Sequence, residues 1–198
     1  MFERLRYLIC LSSAHLIARR YFVTNGFDGV LTMLGLLMGF RVSGETSIEI
    51  MIGVCLAGAI ALFMSGLTSA YISESAEKAY ELRELEKSMA QPLDESVHAE
   101  AAKSMPWIVA LVNGVSPFLF ALIILLPLFL AQHELIPWLS PIDAALSIAL
   151  VLSFLLGVFL GQLSGRFWLW SGVRALLICA ATTVLILFVQ QIMGNSGQ

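Results

Sequence analysis

The stretch YFVTNGFDGVLTMLGLLMGF, residues 21–40, decides the fold of this chain. It is long enough to cross the ~30 Å hydrocarbon core of a bilayer as an α-helix, because each helical residue adds about 1.5 Å. Four further apolar stretches cover about 48–72, 107–131, 142–163 and 168–191. No stretch shows the period-two alternation of a transmembrane β-strand. The sequence therefore predicts an all-α integral membrane protein with five transmembrane helices.

The overall composition agrees with this prediction. Of the 198 residues, 59% are hydrophobic and 13% are charged, whereas charged residues make up about 25% of a typical soluble domain. The formal net charge of −3 gives no electrostatic basis for binding nucleic acid. We therefore expect a lipid bilayer, and no nucleic acid, as a partner.

The basic residues predict the orientation of the chain. Ten of the eleven Lys and Arg residues lie before the first apolar stretch, between the second and third, or near the turn between the fourth and fifth. Only Arg41 lies on the other side. Because cytoplasmic loops carry the excess of Lys and Arg, the N-terminus is predicted to be cytoplasmic and the C-terminus external.

The chain divides into five predicted segments. Residues 1–20 form an amphipathic helix on the cytoplasmic surface, 21–72 hold transmembrane helices 1 and 2, and 107–191 hold helices 3 to 5. Residues 192–198 form an external tail. Residues 73–106 form a cytoplasmic acidic segment between helices 2 and 3 that first continues helix 2. We expect Pro92 to end that helix and a second short helix to lead to Pro106.

Asp28 is the most informative residue, because a carboxylate within a membrane helix costs about 2.5–3.5 kcal/mol on insertion scales. Asn25 and Thr32 lie one turn away on the same helix face, and Gly35 and Gly39 extend it. We expect this face to meet another helix. Asp28 is interpreted either as an ion ligand or proton carrier, or as a packing residue whose carboxylate a neighbouring hydroxyl satisfies.

Two further groups of residues have ligand chemistry. Met64, beside Ser65 in the second apolar stretch, offers a thioether that favours transition metals over Mg²⁺ or Ca²⁺. Carboxylates at spacings of three, four and three residues share one face of the acidic segment: Glu74, Glu77, Glu81 and Glu84. Their mutual repulsion would be relieved by a bound divalent cation. The alternative is a solvated helix with mixed Lys–Glu pairs.

The pair Asn25-Gly26 recurs as Asn113-Gly114, 88 residues later. Each pair opens an apolar stretch that is predicted to run outward. The recurrence suggests a parallel two-helix repeat, although two matched residues can also arise by chance.

Enzyme classes find little support in the sequence. The Asp28-Gly29 pair lacks the DGxxAR…DxxxD continuation of phosphatidyltransferases, and GQLSG (161–165) has the wrong spacing for an intramembrane serine protease. No glycine-rich phosphate-binding loop is present. We therefore expect no enzymatic activity and no cofactor.

Three motifs together resemble the vacuolar iron transporter family. They are NGFDGVLTMLGLLMG (25–39), GLTSAYISESAEKAYELRELEKSM (66–89) and ALVNGVSPFLFALIILLPLFL (110–130). The resemblance covers residues ~20–190 and is greatest to short prokaryotic, archaeal-type members. In this sequence the acidic segment is much shorter than in eukaryotic members, and Ser69-Ala70-Tyr71 stands where some members have Gly-Glu-Tyr.

The resemblance implies a five-helix homodimer in a prokaryotic cell membrane that exports Fe²⁺ or Mn²⁺ from the cytoplasm in exchange for protons. It implies that Asp28 matches the first-helix aspartate of the metal and proton pathway, and that Met64 lies within two residues of the expected second-helix methionine. Asn25 and Thr32, on the face of Asp28, and Ser65, beside Met64, complete the predicted pathway. It further implies that cytoplasmic metal capture begins at the four glutamates of the acidic segment. Two alternatives stay open: a non-transporting membrane interaction or scaffold protein, and an exporter of a different divalent cation.

Overall fold

The computed structural model describes residues 14–44, 47–93, 96–133, 140–165 and 167–195. These residues form five α-helices: α1 Ala14–Ser43, α2 Ile48–Met89, α3 Val97–Gln132, α4 Pro141–Leu163 and α5 Trp168–Asn195. Each helix is long and apolar enough to cross a membrane. The prediction of an all-α chain with five such helices is confirmed. The described residues do not include 1–13 of the predicted surface helix or 196–198 of the predicted tail.

Helix α2 continues without a break from its apolar half into its acidic half, over 42 residues. This continuity was predicted from the strong helix formers after Ile72 and the lack of Gly or Pro before Pro92. The helix ends at Met89, and Ala90 then takes a positive φ of 50°. A non-glycine residue rarely adopts this conformation, which turns the chain away from the helix axis.

Helix α3 differs from the prediction at its beginning. It starts at Val97 and runs through Pro106, so no separate short helix precedes the apolar stretch. Pro117 and Pro127 also lie inside α3. Proline removes one backbone hydrogen bond, but in an apolar span the alternative of an irregular backbone leaves more polar groups unsatisfied. A continuous helix is therefore the less costly choice.

Helix α4 has a well-defined beginning and end. Ser140 caps it by accepting a hydrogen bond from the Asp143 N–H at 3.4 Å, and Pro141 occupies the first turn. Gly165, with φ of 65°, turns the chain after Ser164. The Asp143 carboxylate forms an ion pair with Arg41 at the end of α1.

The helices form two compact units. Unit 1 comprises residues 1–25 and 62–116, and unit 2 comprises residues 26–61 and 117–198. Helices α1, α2 and α3 each contribute one part to each unit, whereas α4 and α5 lie wholly in unit 2.

Glycines bring the helix backbones of unit 2 into direct contact. A Cβ atom added at Gly157 of α4 would lie 2.7 Å from the Ala175 Cβ and 2.7 Å from the Ser171 carbonyl oxygen of α5. A Cβ at Gly29 of α1 would lie 2.6 Å from the Pro117 carbonyl oxygen of α3. Small residues permit this close packing between apolar helices. Gly161 also meets α5, where an added Cβ atom would lie 2.7 Å from the Ser171 Cβ, whereas one at Gly165, at the turn, would meet nothing within 4 Å.

The substitution Gly157→Ala is expected to destabilise the α4–α5 pair by about 1–3 kcal/mol, because the new methyl group overpacks a backbone contact. Gly53→Ala is the matched control, since a Cβ at Gly53 meets nothing within 4 Å. That control should be neutral or slightly stabilising. Thermal unfolding of the purified protein in detergent measures both effects. Equal unfolding midpoints for the two variants would contradict the assignment of Gly157 to a helix contact.

Candidate functional site

Two asparagines form the polar centre of unit 1. The Asn25 Nδ2 group of α1 donates a hydrogen bond to the Asn113 Oδ1 of α3. The Asn113 Nδ2 group in turn donates to the Gly66 carbonyl oxygen of α2 at 2.6 Å. Asn113 is buried, with only 5% of its surface exposed. One connected set of amide and carbonyl groups therefore joins three helices, which satisfies groups that are costly to bury alone.

The glycine after each asparagine has a structural role, because Gly26 and Gly114 are both buried. A Cβ at Gly114 would lie 2.7 Å from the Phe63 carbonyl oxygen, and one at Gly66 would lie 3.1 Å from the Asn113 carbonyl oxygen. Helices α2 and α3 thus touch at their backbones beside the amide pair. This close approach lets a side chain as short as that of Asn113 reach the Gly66 carbonyl group.

A second polar group in unit 1 joins α1 to α2. The Glu74 side chain is only 5% exposed, and its carboxylate interacts with the Tyr21 hydroxyl. The guanidinium carbon of Arg20 lies 5.7 Å from the centre of the Tyr21 ring. The Tyr21 carbonyl oxygen also accepts a hydrogen bond from Asn25 Nδ2 at 3.0 Å. Tyr21 therefore contacts both the buried carboxylate of α2 and the amide pair.

Asp28, in unit 2, is exposed. Within the part of the chain that the structure describes, its carboxylate forms no hydrogen bond and no ion pair. Thr32 is half-buried, and a Cβ at Gly39 would meet nothing within 4 Å. The predicted contact face of α1 is therefore only partly in contact with other helices. Gly29, one residue beyond Asp28, instead brings the α1 backbone close to Pro117 of α3.

Met64 and Ser65 are exposed on α2, and Met64 exposes 53% of its surface. A second hydroxyl group follows on the same exposed side of this helix at Ser69, one turn later. Polar side chains at four-residue spacing on an outer face of an apolar helix are unfavourable against lipid tails. This face of α2 is therefore suited to contact water or a further protein surface.

The four glutamates of the acidic segment do not share one environment. Glu74 is buried, whereas Glu77, Glu81 and Glu84 are exposed. Lys78 Nζ lies 2.6 Å from a carboxylate oxygen of Glu81, and Lys87 Nζ lies 2.6 Å from one of Glu84. Among the described residues, no group of three or more His, Cys, Asp or Glu side chains is placed to hold a metal ion. The pairing matches the mixed Lys–Glu alternative for Glu81 and Glu84.

Sequence reasoning did not assign Tyr21 or Asn113 to the candidate site. The recurring Asn-Gly pair was the available signal for Asn113, because its two asparagines bond to one another in the structure. No comparable signal existed for Tyr21. An aromatic residue at the start of an apolar stretch is usually an interface anchor.

Five helices long and apolar enough to cross a membrane make this chain a multi-pass α-helical membrane protein by class. The chain is similar to the uncharacterized protein MJ0645 of Methanocaldococcus jannaschii. The two are 27% identical over 175 residues, which cover 87% of this chain and 88% of that protein. No protein-family model matches the chain, and no solved structure matches it.

A double-mutant cycle tests the amide pair. Asn25→Ala and Asn113→Ala should each destabilise the protein, and the double variant should lose less than the sum of the two. The coupling energy is expected at about 0.6 kcal/mol, with an upper range near 1.7 kcal/mol, as for other hydrogen bonds between membrane helices. Unfolding in mixed detergent measures each term. Strict additivity would show that the two amides do not interact.

Proposed function

We propose that this protein is a proton-coupled transporter that exports a divalent transition metal, Fe²⁺ or Mn²⁺, from the cytoplasm. The observation that carries the proposal is the Asp28 carboxylate, which is exposed and unpaired within the described part of an apolar helix. Lipid tails cannot solvate such a group. A carboxylate that alternately binds a proton and a metal ion provides the elementary step of antiport.

The ligand types along the proposed pathway suit a transition metal. Asp28 supplies a hard oxygen ligand, and Met64 supplies a soft sulfur ligand, a combination that disfavours Mg²⁺ and Ca²⁺. The Asn25 Nδ2 group donates both described hydrogen bonds of this side chain, so no described hydrogen bond occupies its Oδ1 atom. Thr32 and Ser65 contribute hydroxyl groups. These five residues are the proposed metal and proton pathway.

We further propose a homodimer, because the exposed polar residues of one chain need covering. Asp28 on α1 and the hydroxyl-bearing face of α2 are exposed in the single chain. A second copy that covers these residues would remove them from lipid. This arrangement agrees with the homodimer that the family resemblance implies.

The transport proposal is tested by flux of Fe²⁺ or Mn²⁺ into proteoliposomes under a pH gradient. Asp28→Asn should lower the flux at least about tenfold, because loss of a group that merely supports a metal ligand already costs ~10–100-fold. Asp28→Glu should retain part of it. Glu49→Gln is the matched control, since Glu49 is also exposed but lies in the first turn of α2.

Undiminished flux in Asp28→Asn would remove Asp28 from the mechanism. If no metal moves, and if Asp28→Asn instead weakens dimerisation, the protein is a scaffold in which the carboxylate stabilises an interface. Competition by Zn²⁺, Co²⁺ or Mg²⁺ that exceeds competition by Fe²⁺ and Mn²⁺ would assign the transporter to another cation.

Metal capture by the acidic half of α2 is a separate part of the proposal. Here Glu77, Glu81 and Glu84 hold incoming metal, while Glu74 anchors the start of the segment through Tyr21. Lys78 and Lys87 then compete with the metal for two of the three exposed carboxylates.

Replacing both lysines by methionine should therefore tighten Mn²⁺ binding a few-fold, since exposed ion pairs are worth ~0.2–1 kcal/mol each. Isothermal calorimetry on the purified protein measures the affinity. The controls are Lys103→Met, which removes one positive charge from α3, and the two single lysine variants, each of which also removes one charge. Unchanged affinity in the double variant would show that these carboxylates do not capture metal.

A further inference from the structure

A cleft in unit 2 lies where α1 meets the α4–α5 hairpin. It has a volume of about 360 Å³, within the ~300–1,000 Å³ range of small-molecule sites. Its walls are mainly apolar, with Phe27 and Leu31 from α1, Leu160 from α4 and Ile178 from α5. Such walls suit a hydrocarbon chain.

The polar residues of the cleft come from the end of α4 and the beginning of α5. They are Arg174, Ser164 and Ser171. Ser164 is the residue that caps α4, and its hydroxyl donates to the Leu160 carbonyl oxygen at 2.9 Å. None of the described residues that line the cleft is acidic. Among these residues, Arg174 therefore carries the only formal charge, and it is positive.

The Arg174 side chain bends toward the beginning of α5. Its guanidinium carbon lies 5.8 Å from the centre of the Trp170 ring, one turn earlier in the helix. No described residue forms an ion pair with Arg174. An arginine on an apolar helix directs its charge toward the polar edge of the membrane in this way. Trp168 and Trp170, both exposed, are the residue type that marks that edge.

We propose that this cleft binds an anionic phospholipid. The phosphate group pairs with the Arg174 guanidinium and accepts a hydrogen bond from the Ser171 hydroxyl. One acyl chain lies along the apolar wall formed by Phe27, Leu31 and Ile178. Basic pockets between membrane helices on the cytoplasmic side are suited to anionic headgroups, and the distribution of Lys and Arg predicts that side for the α4–α5 turn.

The geometry favours a lipid over free phosphate. Inorganic phosphate would use the polar end of the cleft and leave its apolar walls open, whereas a phospholipid covers both with one molecule. Lipid binding at this cleft does not require metal transport.

The test is thermal unfolding of the delipidated, full-length protein in detergent. Phosphatidylglycerol in ~100-fold excess over its Kd should raise the unfolding midpoint by about 5–10 °C. Phosphatidylcholine with the same acyl chains, and inorganic phosphate, should leave it unchanged. Arg174→Gln should abolish the increase and Arg174→Lys should retain part of it. Arg83→Gln, an equal loss of charge on α2, should behave as the wild type.

Stabilisation by phosphatidylcholine equal to that by phosphatidylglycerol would overturn the proposal, because the charge of the headgroup would then be irrelevant. An equal increase with inorganic phosphate would replace the lipid by a free anion. An equal loss in Arg83→Gln and Arg174→Gln would show a response to overall charge instead of a site. If Arg174→Gln does not fold, the wild-type headgroup comparison and Arg174→Lys decide the matter.

Discussion

Both units of this protein depend on helix backbones that touch one another. Between apolar helices in lipid there is no hydrophobic gain from association, so contact area and polar pairing must supply the attraction. Glycine provides the contact area, as at Gly114 in unit 1 and Gly157 in unit 2, where an added Cβ atom would lie 2.7 Å from a neighbouring backbone oxygen. This short distance between the helix backbones limits where the neighbouring side chains can lie.

Polar pairing adds direction to the contacts that glycine permits. The amides of Asn25 and Asn113 can pair in few orientations, and the additional bond to the Gly66 carbonyl oxygen fixes α2 relative to α3 within unit 1. In unit 2, Cys179 Sγ donates to Ser153 Oγ at 3.0 Å and links α5 to α4. Asp28 contrasts with all of these groups, because its carboxylate is exposed and has no described partner. A polar residue that packing does not satisfy is the one most open to a functional interpretation.

Much of the fold could be predicted from the sequence, because helix length in a membrane is set by bilayer thickness and apolar runs report it directly. The continuity of α2 followed from residue propensities alone. The start of α3 did not, since the cost of Pro106 within a helix depends on what surrounds it. Which helix face meets which neighbour was also beyond the sequence. Glycines occur on several faces of α1. Only the structure distinguishes Gly29, where an added Cβ atom would clash with Pro117, from Gly39, where it would meet nothing within 4 Å.

The unbroken length of α2 has a mechanical consequence. At 42 residues the helix is about 63 Å long, roughly twice the ~30 Å thickness of the hydrocarbon core. An unbroken helix tilts as one body. A 10° tilt of its apolar half would therefore displace the acidic end, about 30 Å away, by about 5 Å. The glutamates near Met89 therefore move whenever the apolar half of α2 tilts.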